Sequence, residues 1–484
     1  VFLEAMAHLR RVGAVVTDSP DHWRETTGRG HLVGRLHVVD KGFGFVVSEG
    51  SSKDVYVASN RMSSAINGDT VVVQIVKRDG RRGGPEGRVL GVAERGMTRL
   101  VGAFTSVGDE GWVGPDDPAI KQMVTVAVPE GIPCPSGAKV VVELDPPEAG
   151  TGLSGQITQV LGELGDPGVD IESIVHTFSL SRAYSSEAIA HAAGIVSDIE
   201  PQEIASRTDL RDVPTFTIDP KTAADMDDAL SLEWTDDGLA RVGIHIADVT
   251  HYIKPGSPVD LEASERSTSV YLPGEVIHML PESLPSDVCS LRPGVDRLTM
   301  SAIADLDGGG GVTSVRFVRS VINSGAKLSY EEAQEVIDGT NAEDSPASGF
   351  AESIGQLHAL AQTLRQRRRK EGSIEFDLPE PVVIFGDDGQ IEAVTHAEHL
   401  QSHELIEEFM LLANRLVAEK LTEEEIPTLY RVHEPPSPER ISDLNSLIKA
   451  LGQGVLLPKN ITPKAVQELV DTYRGKPAES VVVT

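Results

Sequence analysis

The sequence predicts a multidomain α+β protein, with two small β-barrels ahead of a large mixed α/β domain. Three observations carry this. Short apolar runs broken by glycine and asparagine turns fill residues 31–94. A second set of the same kind fills residues 99–162. From about Thr208 onward, longer apolar strands alternate with amphipathic helices. We place the boundaries at 1–30, 31–94, 95–162, 163–207 and 208–484.

Composition sets the outer bounds. The chain has 484 residues, 40% hydrophobic and 24% charged, and reads as soluble and globular. No run of about 18 apolar residues occurs, so no membrane span is expected. No secretory signal is visible at the start. Cys134 and Cys289 form no Cys/His array, which argues against structural zinc and a disulfide framework and suits a reducing cytoplasm. The net charge is −31, from 74 acidic and 43 basic residues. Taken alone, that balance opposes a polyanionic partner unless the basic residues gather in a groove.

Residues 1–30 open with Phe2, Met6, Leu9 and Val12 near helical spacing, and Ala14-Val-Val16 suits a strand. This reads as the end of a helix–wing unit, and because the chain enters in mid-pattern at Val1 we expect a preceding piece. In the first barrel, Val38 to Val47, Lys53 to Ala58 and Thr70 to Val76 supply strands, with Asn67-Gly-Asp69 as a turn. Phe43, Phe45 and Tyr56 fall on adjacent strands and suit a stacking platform for single-stranded nucleic acid, although rings at this spacing also suit a core. Lys41, Lys77, Arg78, Arg81, Arg82 and Arg88 add local positive charge. KGFGFV followed by VYV resembles the two ribonucleoprotein motifs of a cold-shock domain, which implies an OB-fold barrel. The second barrel carries only Phe104 and Trp112 as aromatics. Gly162 to Gly168 reads as a linker, and polar helices connect to residue 207.

The large domain holds the chemistry. Thr217-Ile-Asp-Pro-Lys-Thr-Ala-Ala-Asp-Met-Asp-Asp-Ala-Leu-Ser231 places Asp219, Asp225, Asp227 and Asp228 on a bend between two strands. Two carboxylates about 5 Å apart repel by roughly 3 kcal/mol at an effective dielectric of ~20. Four in one pocket therefore require raised pKa values or a cation, and an all-oxygen set suits Mg²⁺ or Mn²⁺. A calcium-binding or merely solvated acidic turn is the plainer reading, and the apolar framing and the DP…AxDxDDA pattern weigh against it. Downstream, Arg241 to Val249 reads as a buried strand and Val259 to Thr268 as a helix. Leu298 to Asp305 and Val312 to Val321 read as paired strands. Leu328 to Ile337, Ser353 to Lys370 and Leu405 to Lys420 read as helices. Gly372 to Pro379 reads as a strand, and Tyr430 to Pro436 as a strand and turn.

TIDPKTAADMDDALS, HIADVTHYI, YLPG, LPSDVCSLRP, LIEEFMLLAN and YRVHEPP, in this order, resemble the ribonuclease R / ribonuclease II family of processive 3′→5′ exoribonucleases. The resemblance covers nearly the whole chain, and the tandem barrels make it closest to the ribonuclease R branch. It implies an RNB catalytic domain in which Asp219, Asp225, Asp227 and Asp228 bind Mg²⁺ and organise the attacking water. It implies that Tyr271 and Phe376 clamp the RNA 3′ end, and that Tyr330 and Glu408 recognise the terminal nucleotides. The family continues into an HFTSPIRRY-like arginine segment and an S1 barrel, whereas this chain stops at Thr484, so we expect a chain truncated at both ends.

The implied activity is Mg²⁺-dependent hydrolysis of single-stranded RNA to nucleoside 5′-monophosphates by a cytoplasmic monomer. No Ser/His/Asp or Cys/His set points to a covalent nucleophile. The alternative is an RNA-binding protein whose RNB site is incomplete and does not turn over.

Overall fold

The computed structural model describes residues 15–19, 22–25, 30–39, 42–48, 53–78, 84–107, 110–127, 133–147, 152–374, 381–386, 391–432, 434–452, 456–458 and 460–483. They fall into two compact units, one holding the described residues up to 182 together with 272–275 and 385–386, the other holding the remainder. The first unit contains the barrels and the second the large sheet.

A hairpin of β1 (Val15–Ser19) and β2 (His22–Glu25) opens the first unit. The helix expected over Phe2 to Val12 lies outside the described residues. The first barrel closes in the order β3 (His31–Val38), β4 (Gly44–Val47), β5 (Val55–Val57), β7 (Glu86–Glu94) and β6 (Thr70–Lys77). Alternation buries Leu36, Val46, Val55, Val57, Val71, Val73 and Val89 inside it. The sequence run 38–47 is divided by a turn at Gly42, whose φ of +82° favours glycine. The expected turn at Asn67–Asp69 is stapled by buried Asp69. Its carboxylate accepts from the amides of Ile66 and Gly96, each at 2.9 Å, and from Arg95 at 2.7 Å.

The second barrel closes in the order β10 (Val124–Ala127), β12 (Leu153–Gly162), β11 (Lys139–Leu144), β8 (Arg99–Val107) and β9 (Glu110–Pro115). Phe104, Val113, Val140 and Val142 fill its core. The helix Val169–Thr177 follows, with Val169 and Val175 buried.

The second unit is built on a seven-stranded mixed sheet in the order β13 (Thr208–Asp209), β20 (Val312–Asn323), β19 (Asp296–Leu306), β16 (Ala240–Ala247), β15 (Asp228–Trp234), β14 (Thr215–Asp219) and β21 (Ala326–Ser329). Two small hairpins, β17 (Val270–Leu272) with β18 (Glu275–Ile277) and β22 (Pro381–Phe385) with β23 (Ile391–His396), stand apart from it. Phe216, Ile218, Leu230 and Ile244 pack against the helices Ala351–Glu371 and Gln401–Glu423 through Ile354, Leu357, Leu405 and Phe409. Each such side chain contributes roughly 1.5–3 kcal/mol on burial. The helices Pro438–Ala450 and Pro463–Tyr473 make their own core around Ile448, Leu469 and Tyr473. Among the described residues no helix is long and apolar enough to cross a membrane.

Two expectations need correction. The helix read from Leu328 starts at Tyr330, because Leu328 and Ser329 belong to β21 and Ser329 forms the capping box with Glu332. Tyr430 to Pro436 contains no strand among its described residues, where Tyr430 and Val432 are exposed and prolines 435 and 436 supply no ladder donor. The strand read over Gly372 to Pro379 falls largely outside the described residues.

Candidate active site

The sheet itself makes the acidic bend. All five residues of β14 are buried between antiparallel β15 and parallel β21. Asp219 ends β14, Asp228 begins β15, and Pro220 breaks the ladder between them. Asp225 and Asp227 lie on the connecting loop. The Ala223 amide donates to the Pro220 carbonyl at 2.9 Å to turn the chain. The Leu291 amide then holds the Met226 carbonyl, and the Ala247 amide the Asp227 carbonyl, each at 2.9 Å.

The four aspartates differ in environment. Asp219 is 8% exposed, Asp225 and Asp228 are half-buried, and Asp227 is exposed. Burial pushes the Asp228 carboxyl up to about 7, with the charges of Asp219 and Asp227 adding to the rise. Burial likewise pushes Asp219 up to about 6; Thr217 and Lys327 oppose the rise, while Asp225 and Asp227 add to it. Asp227, although its surface is open to solvent, is raised by the desolvation that the surrounding protein imposes on its carboxyl and by the charge of Asp225. One oxygen of Asp219 and one of Asp228 are buried without a hydrogen-bond partner. Buried anionic oxygens without donors are what a hard cation satisfies. The all-oxygen donor set fits a divalent ion of that kind. Among the described residues, however, no three His, Cys, Asp or Glu side chains are gathered tightly enough to hold a metal as they stand.

Two expected tyrosines flank the bend. Tyr330, at the first turn of the helix Tyr330–Asp338, stacks on His403 with ring centroids 3.9 Å apart. Its phenol is pushed up to about 12 by burial and by the carboxylates of Asp219 and Asp228. Tyr271, on β17, is 71% exposed, and its phenol is raised by partial burial and by Asp225 and Asp227. The two rings thus stand beside different pairs of carboxylates. Glu408 has a separate setting. It is buried on the helix Gln401–Glu423 and bonded by Arg368, with Nη2 at 2.5 Å and Nε at 3.3 Å. Phe376 lies outside the described residues.

In the first barrel Phe43, Phe45 and Tyr56 do meet. Their ring centroids are 5.5–5.9 Å apart, and all three are half-buried. Of the basic set nearby, Lys77 faces Glu86 at 3.9 Å and Arg88 donates to Gln74 at 3.1 Å. Lys41, Arg81 and Arg82 lie outside the described residues. In the second barrel Phe104 is buried in the core, while Trp112 is half-exposed.

Sequence reading missed two side chains that touch the acidic bend, Ser290 and Lys327. Ser290 lies inside the LPSDVCSLRP motif, a signal that could have singled it out, whereas nothing in the local sequence marks Lys327.

Comparison with known proteins agrees with this architecture. Residues 207–482 match the RNB domain, 34–92 the ribonuclease B OB domain and 112–185 a cold shock domain. Ribonuclease R of Thermotoga maritima is 36% identical over 486 residues, 99% of this chain and 68% of that protein. Ribonuclease R of Aquifex aeolicus is 33% identical over 95% of this chain and 64% of that protein. For Escherichia coli ribonuclease R the identity is 32%, over 92% of this chain and 54% of that protein. The chain therefore spans between about half and two thirds of the length of these relatives. The fold matches Mycoplasma genitalium RNase R, solved in complex with ribose methylated single-stranded RNA. There the TM-score is 0.80 at 24% identity, over 93% of this chain and 71% of that one. It also matches yeast Ssd1, described as a pseudonuclease, with a TM-score of 0.68 at 19% identity over 94% of this chain and 62% of that one. With its RNB domain preceded by OB and cold-shock barrels, and with relatives sharing a third of its residues along almost its whole length, the chain belongs to the ribonuclease R family.

Proposed function

We infer that this protein is a Mg²⁺-dependent 3′→5′ exoribonuclease that hydrolyses single-stranded RNA to nucleoside 5′-monophosphates. The observation that carries the reading is the pair of buried, partnerless oxygens on Asp219 and Asp228, within a bend whose carboxylates raise one another's pKa. Asp219, Asp225, Asp227 and Asp228 would hold the cation. When bound, it polarises the scissile phosphate and makes a water more acidic. The protein's part is then positional. Asp219 and Asp228 are fixed by strand ends. Tyr330, ordered by its stack on His403, limits where a terminal ribose and base can lie. Tyr271 offers a solvent-facing ring on which a base can stack. The rings of Phe43, Phe45 and Tyr56 support a role in holding single-stranded RNA by stacking. Recognition of the 2′-hydroxyl would separate RNA from DNA. Glu408 remains a candidate for nucleotide recognition through its Arg368 pair. The free cysteines Cys134 and Cys289 suit the cytoplasm, where we place the protein as a monomer.

A second reading is RNA binding without turnover. The relatives that share about a third of the chain's residues are ribonucleases R, and they do not favour it. A 5′-labelled single-stranded RNA incubated with this chain, with Mg²⁺ and with EDTA, separates the two. Mg²⁺-dependent collapse to a very short product supports the exonuclease. Retained binding without degradation supports the second reading.

A further inference from the structure

The acidic bend poses a mechanical problem. Residues 220–227 have no regular secondary structure, and the carboxylates they bear or adjoin repel one another. Two backbone contacts anchor the C-terminal end of the loop, at Met226 and Asp227. The remainder is held by two side chains from distant parts of the chain. The Ser290 hydroxyl donates to the Ala224 carbonyl at 2.8 Å and accepts from the Met226 amide at 3.2 Å, so a single oxygen brackets Asp225 on both sides. Ser290 is fully buried, and its own carbonyl accepts from Arg297 Nε at 2.8 Å. Arg297, 3% exposed, also donates to the carbonyl of Asp287 at 2.9 Å, so the segment carrying Ser290 is itself fixed to β19. From β21, the Lys327 ammonium donates to the Lys221 carbonyl at 3.2 Å and to the Ala223 carbonyl.

We propose that Ser290 and Lys327 are positioning residues that fix the aspartate bend in the shape that takes up the divalent cation. The proposal rests on the metal-dependent reading above. Between them they engage the backbone at residues 221, 223, 224 and 226, most of the span that separates Asp219 from Asp227. Both side chains use their polar atoms on the backbone, so their influence on the reaction passes through the carboxylates. Groups that orient ligands without touching the ion commonly change metal affinity ~10- to 100-fold.

Lys327 makes the test sharp, because charge and geometry act in opposite directions. Deleting a cation that acts on Asp219, by charge alone, tightens binding of a second cation. Loosening the loop weakens it. The experiment is calorimetric titration of Mn²⁺ into the metal-free full chain at pH 8 for wild type, Ser290→Ala, Lys327→Met, Lys327→Arg and Asp227→Asn. RNA hydrolysis across a Mn²⁺ series and melting in EDTA run alongside. The expected result is a ~10- to 100-fold weaker Mn²⁺ affinity for Ser290→Ala. Lys327→Met should weaken affinity about tenfold, with most of the loss restored in Lys327→Arg. Hydrolysis by both weakened variants should recover at saturating Mn²⁺. Mn²⁺ affinity within twofold of wild type for Ser290→Ala, or tighter binding by Lys327→Met, overturns the proposal. If Ser290→Ala fails to melt cooperatively in EDTA, the Lys327 pair decides. A wild type that takes up no more Mn²⁺ than Asp227→Asn refutes the metal reading itself, and the proposal with it.

Discussion

On the proposed function, the first barrel and the acidic bend would serve RNA by opposite means. Phe43, Phe45 and Tyr56 sit half-exposed on a barrel whose buried core is Leu36, Val46, Val57 and Val71, and of the three rings Phe43 packs against that core. On the bend, Asp219 and Asp228 are drawn out of water beside other carboxylates, and each keeps an oxygen without a donor. The rings cost the fold little. The carboxylates weaken it, and the surrounding strands and loop contacts must hold them in place. Functional side chains on a finished surface can therefore be changed freely, whereas those on the bend are tied to stability as well as to activity.

Four measurements test this contrast. Asp227→Asn should lower hydrolysis by ~10²- to 10³-fold, the scale of removing a principal electrostatic element, while RNA binding is largely kept; undiminished turnover would refute the metal-site assignment. Phe45→Ala should weaken binding of a single-stranded RNA by about 1–3 kcal/mol and leave the melting temperature nearly unchanged. Cleavage of a dinucleotide should be unaffected, and an equal loss there would erase the distinction between the regions. Asp228→Asn should stabilise the metal-free protein at pH 8. Its carboxyl is raised from 3.8 to about 7 in the fold, so the unfolded chain sheds a proton that the folded one retains. The resulting penalty is full above about pH 7 and fades as pH falls toward 4. A gain of ~1–2 kcal/mol, or ~2–6 °C in melting, is expected at pH 8 and little at pH 4; equal gains at both would remove the electrostatic account. Tyr271→Ala should have the smallest effect, a shift in the length of the end product with stability unchanged, since the ring is largely in solvent. An unchanged product ladder on a sequencing gel would count against its stacking role.

Sequence exposed the local features well. Alternating apolar residues and glycine turns marked both barrels, and the DP…DxDD bend fell between strands because Pro220 interrupts one run and Ala229 begins the next. The Phe43–Phe45–Tyr56 cluster followed from strand pairing, with Phe45 opposite Tyr56. What stayed hidden was long-range. Nothing near the bend announces that β21 lies parallel to β14 and delivers Lys327, or that Ser290 returns from more than sixty residues away. Glu408 reads in sequence as a charge near a helix start, and only packing of its helix on Ala351–Glu371 turns it to Arg368. Tyr430 to Pro436 misled because short apolar–polar alternation describes a strand only if another strand accepts its hydrogen bonds.

If the bend takes up a divalent cation as proposed, the raised carboxyls of Asp219 and Asp228 would make that uptake an acid-releasing event. With values of about 6 and about 7, both retain protons over a range in which free aspartate is ionised. A divalent ion entering between them must expel those protons into the solvent. The apparent binding enthalpy near pH 6.5 will therefore vary with the ionisation enthalpy of the buffer, and affinity will fall steeply as the medium acidifies.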